Sequence, residues 1–75
     1  MKLVKIKLSG HEDIKNLVRI TNQYDFDVDL QSGRYVVNGK SILGIFSLDL
    51  AQPIQVIIHS DACEGLIKDL SCFSL

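Results

Sequence analysis

Val36-Val37-Asn38-Gly39-Lys40-Ser41-Ile42-Leu43-Gly44-Ile45-Phe46-Ser47-Leu48 decides how the rest of this chain is read. It closes an apolar strand, turns a corner at Asn38-Gly39 and enters a short apolar segment opened by a serine. That is the layout of a strand, a turn and a capped helix. Ser41 suits the cap, because its hydroxyl accepts a hydrogen bond from an N–H group of the first turn that has no partner within the helix. Ile42, Leu43, Ile45, Phe46 and Leu48 make the segment apolar on nearly all sides. A short surface helix presents only one side to a core, so Ile42, Leu43 and Phe46 are not all expected to be buried. A serine beside exposed apolar residues at a helix start suggests a docking surface with a switch on it.

Outward from that stretch, the same alternation continues. Lys2 to Leu8 puts Val4, Ile6 and Leu8 on one side and Lys5 and Lys7 on the other, a half-buried strand. Ser9-Gly10-His11-Glu12 reads as a turn and helix start, with Ser9 and Glu12 expected as a capping box. Ile14, Leu17, Val18 and Thr21, with Tyr24 as a further candidate, recur at helical spacing and predict about three turns of helix. Phe26, Val28 and Leu30 alternate with Asp27, Asp29 and Gln31, a second strand with an acidic outer face. Gln31 to Arg34 is a turn, and Arg34 to Val37 returns as a third strand, so the two form a hairpin. Pro53 ends the short helical region. Ile54 to His59 is a fourth strand, with His59 on the wet face and unremarkable. Asp61-Ala62-Cys63-Glu64 is expected to cap a last helix with the stripe Leu66, Ile67, Leu70 and Phe73.

The order is strand, helix, strand, strand, short helix, strand, helix. Alternating strands imply one wet sheet face and helices stacked on the other, an α+β fold. Pairing of the strands does not follow from order alone. The chain has 75 residues, 47% of them hydrophobic, and a net charge of −1. Such a length holds one small core, so residues 1–75 are read as a single domain. Near-neutral charge without a basic cluster argues against direct nucleic-acid binding. The apolar runs are too short for membrane insertion and no signal-peptide pattern opens the chain, so a cytoplasmic protein is expected. Cys63 and Cys72, nine apart in one expected helix, lie beyond disulfide reach and read as small, partly buried hydrophobes. No cofactor or metal is expected, since no histidine or cysteine set supports one.

Asn38-Gly39-Lys40-Ser41-Ile42-Leu43-Gly44-Ile45-Phe46-Ser47-Leu48 resembles the regulatory-serine segment of HPr, the histidine-containing phosphocarrier family of the bacterial sugar phosphotransferase system. Tyr24-Asp25-Phe26-Asp27-Val28-Asp29-Leu30 resembles the family's second strand and its approach. The resemblance is clear from Leu17 to Ala51. It implies an open-faced β-sandwich, a four-stranded antiparallel sheet in the order 1-4-2-3 covered on one face by three helices. It also implies a carrier histidine at the start of the first helix within a Gly-x-His-Ala-Arg-Pro pattern. Here the chain offers Ser9-Gly10-His11-Glu12-Asp13-Ile14, with Glu12 and Asp13 at the arginine and proline positions when His11 is aligned. Counted back from Tyr24 without gaps, Gly10 falls on the carrier position instead.

Sign bears on that departure. A phosphohistidine carries about two negative charges, and Glu12 and Asp13 oppose it where an arginine would attract it. The carboxylates also occupy the anion-friendly helix start. His11 therefore reads as an exposed first-turn residue, with a phospho-acceptor role as the alternative. Ser41 matches the serine that, in HPr-like proteins of many Gram-positive bacteria, a dedicated HPr kinase phosphorylates. That modification makes the protein a co-regulator of catabolite-control transcriptional regulators. Ser41 as a plain N-cap is equally open, and the two roles are compatible. Ile42, Leu43 and Phe46 match the family's partner-binding patch, the alternative being that they close the core. Lys40 reads as solvated, or as a partner to an incoming phosphate. The expectation is a non-enzymatic regulatory or docking module of sugar transport and catabolite repression, switched at Ser41, with carrier activity lost. The alternatives are an active carrier taking phosphate on His11 from an enzyme I-like protein, and an interaction domain without phosphorylation.

Overall fold

The computed structural model describes residues 1–73 of the chain. Four strands and three helices alternate as β1 Lys2–Ile6, α1 His11–Thr21, β2 Val28–Ser32, β3 Tyr35–Asn38, α2 Ile42–Phe46, β4 Ile54–Ile58 and α3 Glu64–Leu70, with a 3-10 turn at Ser71–Phe73. All pairings are antiparallel and the sheet order is β1-β4-β2-β3, the order that the resemblance implies. The helices lie on one face, an open-faced sandwich. Among the described residues no helix is long and apolar enough to cross a membrane.

Alternation produces the layers. Val28, Leu30 and Ser32 of β2 and Ile54, Val56 and Ile58 of β4 are buried, while the residues between them are half-buried on the outer face. β1 contributes Ile6, and Leu8 follows it into the core. From the helices come Ile14 and Leu17 of α1, Ile45 of α2, and Leu66 and Leu70 of α3, with Phe73 closing the end. A residue of this kind moved from water to the interior contributes about 1.5–3 kcal/mol before the entropy of ordering the chain is subtracted. The hairpin between β2 and β3 turns through Gly33 at φ 60, the left-handed region where a side chain is disfavoured.

Several expected boundaries move. α1 is capped by Gly10, which has no side chain to offer, and Asp13 rather than Glu12 reaches back. Its Oδ2 accepts from the Ser9 N–H at 2.8 Å and the Ser9 hydroxyl at 2.9 Å. With His11 as the first helical residue, Asp13 is the third, the position whose side chain folds back over the helix entry. Asp61 does not cap α3, because it pairs with the Met1 amine at 2.9 Å. That amine holds the Asp61 carboxyl below its ordinary range, through the hydrogen bond first and charge attraction second. Cys63 precedes the body of α3 and is buried, whereas Cys72 lies in the 3-10 turn and is exposed, so only the first behaves as a core hydrophobe. β3 starts at Tyr35, one residue after Arg34, and β4 ends at Ile58, one before His59. Tyr24 lies past the end of α1, where Asn22 caps the helix by donating from Nδ2 to the Val18 carbonyl at 2.8 Å.

Candidate functional site

Ser41 is placed by a corner tied to α1 rather than by its own short helix alone. The Gly39 N–H donates to the Val28 carbonyl at 2.7 Å, closing the turn onto β2. The buried Thr21 hydroxyl, at the last residue of α1, donates to the Gly39 carbonyl at 2.8 Å. Asn38 Oδ1 accepts from the Lys40 N–H at 2.8 Å, and Lys40 Nζ donates to the Tyr24 carbonyl at 2.6 Å. Lys40 is thus half-buried with its ammonium engaged, which corrects the expectation of a freely solvated side chain.

At the end of this corner Ser41 takes an extended conformation and its Oγ accepts from the Gly44 N–H at 3.2 Å, the expected N-cap bond. Gly44 lets α2 lie close to the sheet, since a Cβ there would stand 3.3 Å from Val37 Cβ. The apolar residues of α2 then divide. Ile45 is fully buried and Leu48, just beyond the helix, nearly so, while Ile42 packs partly on the core. Leu43 is 79% and Phe46 42% exposed. Of the three residues not expected to be buried together, two face outward and the third is shared with the core.

His11 opens α1 as an exposed residue. Its ring meets that of Phe46 edge to face, with centroids 5.1 Å apart and planes at 88°. His11 and the Ser41 surface are separate features in the sequence, whereas the fold makes them neighbours. Packing of α1 against α2 produces that contact, which has no signature in local spacing. Glu12 is exposed beside His11, and the Asp13 carboxylate already holds both Ser9 donors. Among the described residues no cation is paired to Glu12 or Asp13 to offset their charge.

A second polar feature lies on the outer face of the sheet. His59 Nε2 is 2.8 Å from Asp29 Oδ2, so His59 is not the unremarkable residue that its place on the wet face suggests. Alternation placed both side chains on the wet face, but only the pairing of β4 with β2 brings them together.

No family model matches the chain. It is similar to a solved structure described as HPr-C-His from Thermoanaerobacter tengcongensis, with 26% identity and a TM-score of 0.79 over 93% of this chain and 86% of that one. It is also similar in fold to a structure described as the phosphocarrier protein HPr from Bacillus anthracis str. Ames, with 23% identity and a TM-score of 0.72 over 99% and 94% of the two chains.

Proposed function

We propose, from the premise that the chain is an HPr-like protein, that it serves as a regulatory docking module switched by phosphorylation of Ser41 and no longer carries phosphate on a histidine. The observation that carries this reading is the position of Ser41. Its hydroxyl caps α2, and the exposed Leu43 and Phe46 follow it two and five residues later. A kinase of the HPr type would transfer the γ-phosphoryl group of ATP to Ser41 Oγ. The hydroxyl proton leaves to a base on the kinase, and ADP departs. The product adds about two negative charges beside an apolar patch, with phosphate oxygens available to the Gly44 N–H in place of Oγ. Binding of a transcriptional regulator or another protein partner at Ile42, Leu43 and Phe46 then depends on that charge, and Lys40 lies next to it in the chain.

The surroundings of His11 support loss of the carrier step. A phosphorylated imidazole there would face Glu12 in the same turn and Asp13 close behind. Charge repulsion of this kind is worth about 1 kcal/mol per exposed close contact in water. The alternative, a working carrier accepting phosphate from an enzyme I-like protein, is favoured by one observation. The contact with Phe46 sets His11 at the rim of the docking patch, where a donor protein would reach it.

Two incubations separate the readings. HPr kinase with ATP is expected to add one acid-stable phosphate, seen by intact mass and absent from Ser41→Ala. Enzyme I with phosphoenolpyruvate is expected to leave no acid-labile label on the chain. Rapid labelling that disappears in acid and in His11→Ala would overturn the proposal in favour of a carrier. With neither label, the chain is an interaction domain without phosphorylation.

A further inference from the structure

The tip of the β2–β3 hairpin stands across from the loop between α2 and β4, and a cleft of about 570 Å³ opens between them. Its origin is the brevity of α2. Gly44 of that helix lies against Val37 of β3, but Tyr35, two residues earlier on the same side of the strand, is 73% exposed. The volume falls within the range, roughly 300–1,000 Å³, of sites that hold small molecules.

The two walls of the cleft differ in chemistry. The hairpin wall donates. Arg34 is exposed there and has no ion pair among the described residues. Beside it Ser32 is only 8% exposed, and its hydroxyl makes no hydrogen bond among the described residues. Buried polar groups ordinarily have a partner. No side-chain oxygen fully shut off from solvent among the described residues lacks one, so the Ser32 hydroxyl opens onto the cleft. The loop wall accepts. Ser47 donates its hydroxyl proton to the Gly44 carbonyl at 2.6 Å, and its oxygen is left as an acceptor. Asp49 Oδ1 is held by the Ala51 N–H at 3.0 Å, while Oδ2 and the negative charge have no cation beside them among the described residues. Tyr35 and Pro53 supply apolar surface to the same cleft.

We infer that this cleft binds a free α-amino acid with an aromatic side chain. The ligand carboxylate accepts from the Arg34 guanidinium and the Ser32 hydroxyl, and its ammonium donates to Asp49 Oδ2 and Ser47 Oγ. Its ring lies on Tyr35 and Pro53. Charge decides the class of ligand. A simple anion would be repelled by Asp49 and a simple cation by Arg34, while a neutral sugar would leave both without a counter-charge. A zwitterion, with both signs on one carbon, answers both walls at once. Arg34 and Asp49 are not paired with each other, so the ligand does not have to displace an existing ion pair. The Arg34 stem is long and exposed and adjusts its reach, whereas the Asp49 carboxylate is fixed by Ala51. The cleft lies at the end of α2 away from Ser41, and the inference does not depend on the function proposed above.

Titration of the full chain with free L-phenylalanine, followed through the backbone amide resonances, tests this. Those of Gly33, Arg34, Ser47 and Asp49 are expected to move together and to saturate. Phenylpropionate lacks the ammonium and phenethylamine lacks the carboxylate. Each is expected to bind about tenfold more weakly, the worth of one charge-assisted contact. Both comparisons use the unaltered chain, so they stand whatever a substitution does to the fold. Arg34→Gln and Asp49→Asn should each give a loss of the same size, and Asp49→Asn keeps the oxygen that accepts from Ala51. Ser32→Ala removes a hydroxyl that has no partner in the free chain. It is expected to weaken binding about threefold while leaving the urea midpoint of unfolding unchanged. Absence of a saturable shift, equal binding of the three compounds, or variants at Arg34 and Asp49 that bind as the parent does would overturn the inference. Shifts centred on His11 and Phe46 instead, as ring stacking alone would give, overturn it as well.

Discussion

His11 and Phe46 meet edge to face, with ring centroids 5.1 Å apart and planes at 88°, and so join the start of α1 to the exposed side of α2. Aromatic pairs in this geometry contribute about 0.5–1.5 kcal/mol beyond the area they bury. Both rings are exposed, so the lower end of that range applies. Phe46→Leu keeps an apolar side chain and removes the ring. It is expected to shift the His11 ring-proton resonances and to lower unfolding free energy by about 0.5 kcal/mol. Unmoved His11 resonances would show that the contact is not formed in solution.

The Thr21 hydroxyl is a buried donor with a specific task. It ties the last residue of α1 to the Gly39 carbonyl at 2.8 Å, and also lies 3.2 Å from the Val18 carbonyl. Thr21→Val preserves shape and leaves the buried Gly39 acceptor without that donor, a loss of about 1–3 kcal/mol. Thr21→Ser keeps the hydroxyl and is expected to lose less. Urea unfolding of the three proteins settles the order, and a valine variant as stable as the parent refutes the role.

Gly39 is small because β2 passes close by. A Cβ there would stand 2.9 Å from the Val28 carbonyl oxygen and 3.0 Å from Val28 Cγ1, and the backbone atom cannot turn aside. Gly39→Ala therefore displaces the corner that carries Ser41, at about 1–3 kcal/mol. Amide exchange at Gly44, whose N–H is held by Ser41 Oγ, is expected to quicken in this variant. Protection equal to that of the parent would mean that the corner absorbs a methyl group without strain.

These two positions also mark how far the sequence could be read. Alternation in Val28–Leu30 and Ile54–Ile58, and helical spacing in Ile14, Leu17 and Thr21, identified the elements and most of the core, because those signals are local. Ser41 as a cap was legible for the same reason. The strand order followed from the resemblance to HPr and not from spacing. Glu12 was expected to partner Ser9, but a cap depends on which residue begins the helix, and a start at His11 gives the task to Asp13. Lys40 to the Tyr24 carbonyl, His59 to Asp29 and His11 to Phe46 each join elements apart in the chain. No periodicity encodes such pairs, and the candidate site was therefore visible as separate residues rather than as one surface.

Ser41 contributes to stability whether or not it is modified. Its Oγ satisfies the Gly44 N–H, and Ser41→Ala removes that acceptor at a cost of about 1 kcal/mol. Asparagine and aspartate cap as well as serine, so Ser41→Asp should restore most of the loss. Thermal unfolding of the three proteins tests this. An alanine variant with unchanged stability would reduce Ser41 to a surface hydroxyl.

Tyr24 links the segment after α1 to α3 through its hydroxyl, which donates to Asp69 Oδ2 at 2.8 Å. The hydrogen bond to that carboxylate, followed by desolvation and the carboxylate's charge, raises the Tyr24 phenol above its usual value of 10.0. The protonated phenol is the form that the fold favours. Its stabilisation is fully present at neutral pH, begins to fall as pH passes the value of the unfolded chain, and is gone once pH exceeds the raised folded value. The unfolding free energy of the parent relative to Tyr24→Phe is therefore expected to decline through the alkaline range. Asp69→Asn removes the negative charge and should bring the Tyr24 ionisation, followed by ultraviolet absorbance as a difference from Tyr24→Phe, back to lower pH. An ionisation that Asp69→Asn leaves in place would assign the shift to the hydrogen bond, whose acceptor asparagine retains, and to desolvation, and the link between Tyr24 and α3 would then lose its charge part.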